Sequence, residues 1–165
     1  NIIYPEIIKN EKKLSWGNFE NYLIKVYFSY IVIASIFIAI SIVFGSKIIY
    51  ILYGDDYQKA YPILSTYAFS LIPAAHTTLS NKLLMINNNQ NFILMRNIIG
   101  LIVNLILNVI LLPSIGIIGA AIATVVTQTG ISISFILNPK TRYIAMIQLK
   151  AFLYPFIYVF RWILK

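Results

Sequence analysis

From Asn97 to Pro139 the chain carries no charged residue, and Ile, Leu, Val, Ala and Gly fill most of its positions. A bilayer core takes about 20 apolar helical residues to cross, so this run is long enough for two crossings. Pro113-Ser114-Ile115-Gly116 divides it, and Pro and Gly mark places where one helix stops and another starts. The pattern predicts a membrane hairpin, residues 92–112 going one way and 117–137 coming back. Water is absent from the bilayer core, so each arm must satisfy its own backbone as a helix.

The same pattern extends towards the start. Residues 26–44 are uncharged and bracketed by Lys25 and Lys47. Strands rarely exceed about ten residues, so the run reads as a helix despite its Ile, Val and Phe content. Tyr50 and Tyr53 suit an aromatic belt at headgroup level, and Gly54 suits a helix stop. With its flanks this first span is predicted over 22–53. Asp55-Asp56-Tyr57-Gln58-Lys59 is a polar link, and a second uncharged span follows, predicted over 60–86. Pro73 lies inside it and should kink it. Thr66, Ser70, Pro73, Thr77 and Asn81 recur at helical spacing, so this face should look into protein or a cavity.

Asn87-Asn88-Asn89-Gln90-Asn91 forms a polar turn before the third span, predicted over 92–112. There Asn97, Gly100, Asn104 and Asn108 stack on one face. The fourth span, 116–138, carries two rows of small residues: Gly116, Ala120 and Thr124, and beside them Gly119, Ala123 and Thr127. Such rows let membrane helices approach closely. Residues 1–21 are polar and mixed in charge, a loop or short surface helix. Residues 139–165 mix aromatics (Tyr143, Phe152, Tyr154, Phe156, Tyr158, Phe160, Trp162) with Lys140, Arg142, Lys150, Arg161 and Lys165, and contain Pro155. They read as an amphipathic, cytoplasmic interfacial tail. The fold class expected is all-α integral membrane, four transmembrane helices plus an interfacial C-terminal helix.

Composition agrees. Only 11% of residues are charged, against about 25% in a soluble domain. The net charge of +8 does not point to nucleic acid, because the cations sit between apolar spans and form no continuous basic face. They sort by side instead. Four alternating spans place eleven cations with the start, the Asn-rich turn and the tail, and only Lys47 and Lys59 with the other two connections. That bias puts both ends of the chain in the cytoplasm. No cysteine is present, which excludes disulfides, thiolate metal sites and cysteine nucleophiles. The chain begins at Asn1 without an initiator Met, and is expected to be a piece of a longer protein.

Leu52-Tyr53-Gly54-Asp55-Asp56-Tyr57-Gln58-Lys59-Ala60 resembles the "LFG..Y..A" loop of bacterial polysaccharide exporters of the Wzx type. Asn104-Leu105-Ile106-Leu107-Asn108, then Pro113, then the stretch from Ile115 to Thr124 is similar to that family's "N..LN..L.P..G..GAA.AT" segment. The similarity covers about residues 1–138, with motif order and spacing agreeing. It implies the multidrug/oligosaccharidyl-lipid/polysaccharide exporter superfamily and a MATE-like bundle of about twelve helices in two lobes, of which this chain would be the last third. It also implies a function: moving undecaprenyl-diphosphate-linked O-antigen units across the bacterial inner membrane by alternating access. Implied partners are the lipid-linked oligosaccharide, membrane lipid, a coupling H+ or Na+, and polysaccharide polymerase machinery. Another exporter of the superfamily (teichoic acid, peptidoglycan precursor or drug) is the first alternative. A membrane oligosaccharide polymerase is the second, disfavoured by the short outside loops.

No enzyme motif is present: no phosphate-binding glycine loop, no HExxH and no GxSxG. No cofactor or metal is expected, since Glu6, Glu11, Glu20, Asp55 and Asp56 all lie outside the spans. A carboxylate that couples transport to an ion is therefore expected elsewhere in the full protein. His76 is the one titratable residue deep in a span, a functional candidate by position; the plainer reading is a neutral imidazole hydrogen-bonded to Ser80 one turn on. Asn104 and Asn108 could contact sugar hydroxyls, or bond between helices. Lys25, Lys82 and Arg96, at cytoplasmic helix ends, could recruit the lipid diphosphate, or anchor the topology by snorkelling to headgroups.

Overall fold

The structure, a computed structural model, describes residues 3–163, and side-chain surroundings for 5–155. It is helical throughout, with no strand among the described residues. The elements are α1 (Ile3–Lys13), α2 (Trp16–Tyr53), a 3-10 turn at Asp55–Ala60, α3 (Tyr61–Ala68), α4 (Leu71–Ile86), α5 (Gln90–Ile115), α6 (Ile117–Ile133) with a 3-10 turn at Ser134–Ile136, and α7 (Arg142–Ile163). Three helical segments are long and apolar enough to cross a membrane: Trp16–Tyr53, Gln90–Ile115 and Ile117–Ile136.

The first of these starts earlier than the apolar pattern alone indicates. Ser15 is extended, at φ −61° and ψ 153°, and breaks the chain between α1 and α2. Trp16, Glu20 and Lys25 then belong to the long helix itself. Its 38 residues rise about 57 Å at about 1.5 Å each, well beyond a bilayer core of about 30 Å. Its first turns therefore stand outside the apolar layer. At the other end Gly54 takes φ +84° and donates its N–H to the Tyr50 carbonyl at 2.9 Å. The polar link then folds back on α2. Gln58 brackets Ser46, accepting from its hydroxyl at 2.8 Å and donating to its carbonyl at 3.1 Å, while the Tyr61 hydroxyl donates to the Ile42 carbonyl.

The predicted second span, 60–86, is not one kinked helix. It is two short helices, α3 and α4, broken at Phe69 and Ser70. Pro73 causes the break. A proline ring clashes with the carbonyl four residues back, which is that of Phe69. At the third position of α4 its missing N–H costs nothing, since first-turn N–H groups have no helical partner. Tighter bonds carry the chain across, Phe69 N–H to Thr66 and Ser70 N–H to Tyr67.

The hairpin turn also lies later than predicted. Pro113 is inside the last turns of α5, and the chain reverses at Gly116 alone, φ +70°. α5 and α6 then pack tightly. A Cβ on Gly119 would lie 2.7 Å from the Leu111 carbonyl oxygen, and one on Gly100 2.4 Å from Ile131 Cδ1. The small residues are therefore where the helices touch, Gly119 in the predicted row and Gly100 on the Asn face.

The core gathers at one end of the bundle. Ile7 of α1, Leu23 and Tyr27 of α2, Leu79 and Leu84 of α4, Phe135, and Ile144, Ile147 and Ala151 of α7 are all buried together. The tail is thus no surface strip with a polar outer face. Its inner side is part of the core, and its outer side is apolar too, with Met146, Leu149, Phe152 and Leu153 exposed around Lys150. Lys150 pairs with Glu20 of α2. The tail side chains from Phe156 to Lys165, including the predicted anchors Tyr158, Phe160, Arg161 and Trp162, lie outside the described side chains. Beyond the core, α2 and α5 expose apolar side chains such as Val43, Ile51, Leu101, Leu105 and Val109, as helices facing lipid or further helices do.

Candidate functional site

A polar cleft of about 480 Å³ lies between α4, α5 and α6. α4 contributes Thr77, Thr78 and Asn81; α5 contributes Asn97 and Asn104; α6 contributes Thr124, Thr127 and Gln128. Helical periodicity puts these residues together: Thr77 and Asn81, Asn97 and Asn104, and Thr124 and Thr127 recur at spacings of four, seven and three, with Thr78 and Gln128 beside them. Gly100 lets the α5 face close on Ile131 and Thr127 below. The lining offers hydroxyls and amides, and no titratable side chain among its residues. Such groups both donate and accept hydrogen bonds without carrying charge.

The two predicted asparagines divide. Asn104 lines the cleft and reaches Thr127 Oγ1 across the helix pair at 3.4 Å. Asn108 does not line it; its amide is spent on Asn104, donating to the backbone oxygen at 2.8 Å and to Oδ1 at 3.0 Å. Asn108 thereby orients the Asn104 side chain. The face predicted along the second span divides as well. Thr77 and Asn81 line the polar cleft, Pro73 lines a separate apolar one beside His76, and Thr66 and Ser70 line neither.

Arg96 is 4% exposed. Its Nη2 donates to Asn81 Oδ1 at 2.5 Å, and the guanidinium carbon lies 4.5 Å from the Phe135 ring centre and 6.0 Å from that of Phe92. Nε and Nη1 have no hydrogen-bond partner among the described residues. A buried cation without a carboxylate is costly, and Asn81, which holds it, is also a wall of the polar cleft. This corrects the snorkelling alternative for Arg96, whose side chain turns inward. Lys82 is half-buried and Lys25 exposed. No interaction among the described residues joins the three cations, so they do not form one cluster here.

His76 is buried, with its ring edge-on to Tyr27 at 5.3 Å between centres. The expected bond from its imidazole to Ser80 is absent: Ser80 Oγ donates to the His76 backbone oxygen at 2.8 Å, and His76 Nε2 has no hydrogen-bond partner among the described residues. Ser80 is instead a hub. It accepts from Gln148 Nε2 at 2.8 Å and meets the Tyr27 hydroxyl at 2.7 Å. With its own proton on His76, Tyr27 is the donor. Three helices, α2, α4 and α7, thus meet on one oxygen. Tyr27 and Gln148 lie 53 and 68 residues from Ser80 in sequence, so no local spacing announces the hub. Near it, outside the spans, burial holds the Tyr143 phenol above its ordinary pKa, and Asn87 donates to its oxygen at 2.9 Å.

No group of three His, Cys, Asp or Glu side chains is placed to hold a metal among the described residues. No protein-family profile, curated protein or solved structure matches this chain.

Proposed function

We propose that this chain is part of a bacterial inner-membrane flippase for lipid-linked oligosaccharides, of the polysaccharide exporter kind its motifs resemble. The observation that carries the reading is the uncharged, hydroxyl- and amide-lined cleft set between otherwise apolar helices. Within a membrane, polar side chains are expensive and mark paths for polar cargo. Neutral donors and acceptors suit a sugar, whose hydroxyls ask for both. Arg96, buried beside Asn81 with two free nitrogens, is the group suited to the diphosphate that follows the sugar. In this reading α3 and α4 together make the second of four crossings, and the core end, rich in cations, faces the cytoplasm. Transport would proceed by rocking of this bundle against a second one around the cleft.

The test uses the full-length protein in cells depleted of their own flippase. Wild type should restore surface polysaccharide, and Asn104→Leu combined with Thr127→Val should lower it about tenfold or more at equal membrane abundance. Failure of wild type with every compatible sugar unit, or full activity of the double variant, would overturn the proposal.

A further inference from the structure

A second cleft, of about 460 Å³, opens between α4, α6 and α7. That size lies within the range of about 300–1,000 Å³ in which proteins hold small ligands. Its walls are mostly hydrocarbon: Ile72 and Pro73 from α4, Ile133 and Ile136 at the end of α6, Leu149 and Phe152 from α7. The last four are also exposed at the outer surface, so the cleft opens sideways where α6 and α7 meet the bilayer. It shares no lining residue with the polar cleft.

One cation stands at its rim. Arg142 Nε donates to the Ile136 carbonyl at 3.0 Å, which fixes an exposed guanidinium beside a residue of the cleft wall. The Arg142 terminal nitrogens make no hydrogen bond among the described residues. Lys140, two positions earlier, lines a different cleft with Glu11 and Tyr143. Arg142 is not ion-paired, since the salt bridge among the described residues joins Lys150 to Glu20. An uncompensated guanidinium beside a hydrocarbon slot complements an anionic headgroup above its acyl chain. Basic pockets between membrane helices recognise lipids in this way.

We propose that this cleft binds one anionic phospholipid of the bilayer, its acyl chain between α4, α6 and α7 and its phosphate on Arg142. The lipid braces α7 against the hairpin. The site is independent of the transport reading, because it uses neither the polar cleft nor Arg96.

The test is lipid titration of the purified full-length protein, followed by native mass spectrometry, with phosphatidylglycerol against phosphatidylcholine. One phosphatidylglycerol should bind in clear preference. Arg142→Gln should weaken it about fivefold, the contribution expected of one cation at a lipid surface, and Arg142→Lys less. Lys47→Gln, at a distant cation, should change nothing. Thr129→Trp and Ala145→Trp, two independent ways of filling the cleft, should each abolish the preference. Equal binding of both lipids, equal losses for Lys47→Gln and Arg142→Gln, or retained preference in a folded Trp variant would overturn the proposal. So would a polyprenyl phosphate that displaces phosphatidylglycerol at lower concentration, since it would make the slot a cargo site.

Discussion

Ser80 carries more of the tertiary structure than its size suggests. Its hydroxyl is the meeting point of Tyr27 and Gln148, and both partners are buried. Ser80→Ala should leave two buried polar groups unsatisfied and cost about 1–3 kcal/mol for each, read as a lowered midpoint of thermal unfolding in detergent. An unchanged midpoint would mean that water replaces the hydroxyl. Arg96 should behave the opposite way. Two of its nitrogens already lack partners among the described residues, so Arg96→Met removes an uncompensated buried charge at similar volume, a change that is often neutral or stabilising. Its thermal midpoint should hold or rise while surface polysaccharide falls; a lowered midpoint with transport intact would return Arg96 to a structural role. The sequence marks Arg96, Asn104 and His76 as polar residues in apolar company, which is why they were legible. It does not show that Arg96 turns inward or that Asn108 serves Asn104. Those outcomes depend on what faces each side chain from another helix.

The hairpin was the most legible element, because an uncharged run of that length can only be satisfied as helix in a membrane. Its turn was placed three residues early. Pro113 can remain inside α5 because the helix ends soon after it, whereas Gly116 supplies the positive φ the reversal needs. The second span misled for the converse reason. Periodicity continues through Phe69 and Ser70, but the ring of Pro73 excludes the carbonyl geometry of a continuous helix. Close packing in the hairpin gives a direct check. Gly119→Ala would press a methyl onto the Leu111 backbone at 2.7 Å, while Gly130→Ala meets nothing within 4 Å. Gly119→Ala should destabilise by about 1–3 kcal/mol, as overpacking does. Gly130→Ala should be neutral or stabilising by up to about 1 kcal/mol, because Ala favours helix. Equal midpoints for the two variants would contradict the hairpin packing.

For the molecule as a whole, the arrangement is a core at one end and two clefts of opposite character further along. One is polar and uncharged between α4, α5 and α6; the other is apolar between α4, α6 and α7. α4 serves both, with Thr77 and Asn81 on one side and Pro73 and His76 on the other. The helical content and the gathering of α1, α2, α4 and α7 at a single end follow from apolar faces seeking cover. The tail was the least legible part, since a helix apolar on both sides reads as amphipathic only when one side is assumed to be wet. The central claim is that the polar cleft is an aqueous path and the opposite face of α5 is not. The chain has no cysteine, so single cysteines report cleanly once any elsewhere in the full-length protein are removed. The decisive measurement is labelling of Asn104→Cys and Val109→Cys by a membrane-impermeant thiol reagent in intact membranes. Asn104→Cys should react readily and be protected by the lipid-linked sugar, and Val109→Cys, on the exposed apolar face, should stay unlabelled. Equal labelling of the two, or reaction at Val109→Cys alone, would contradict the account.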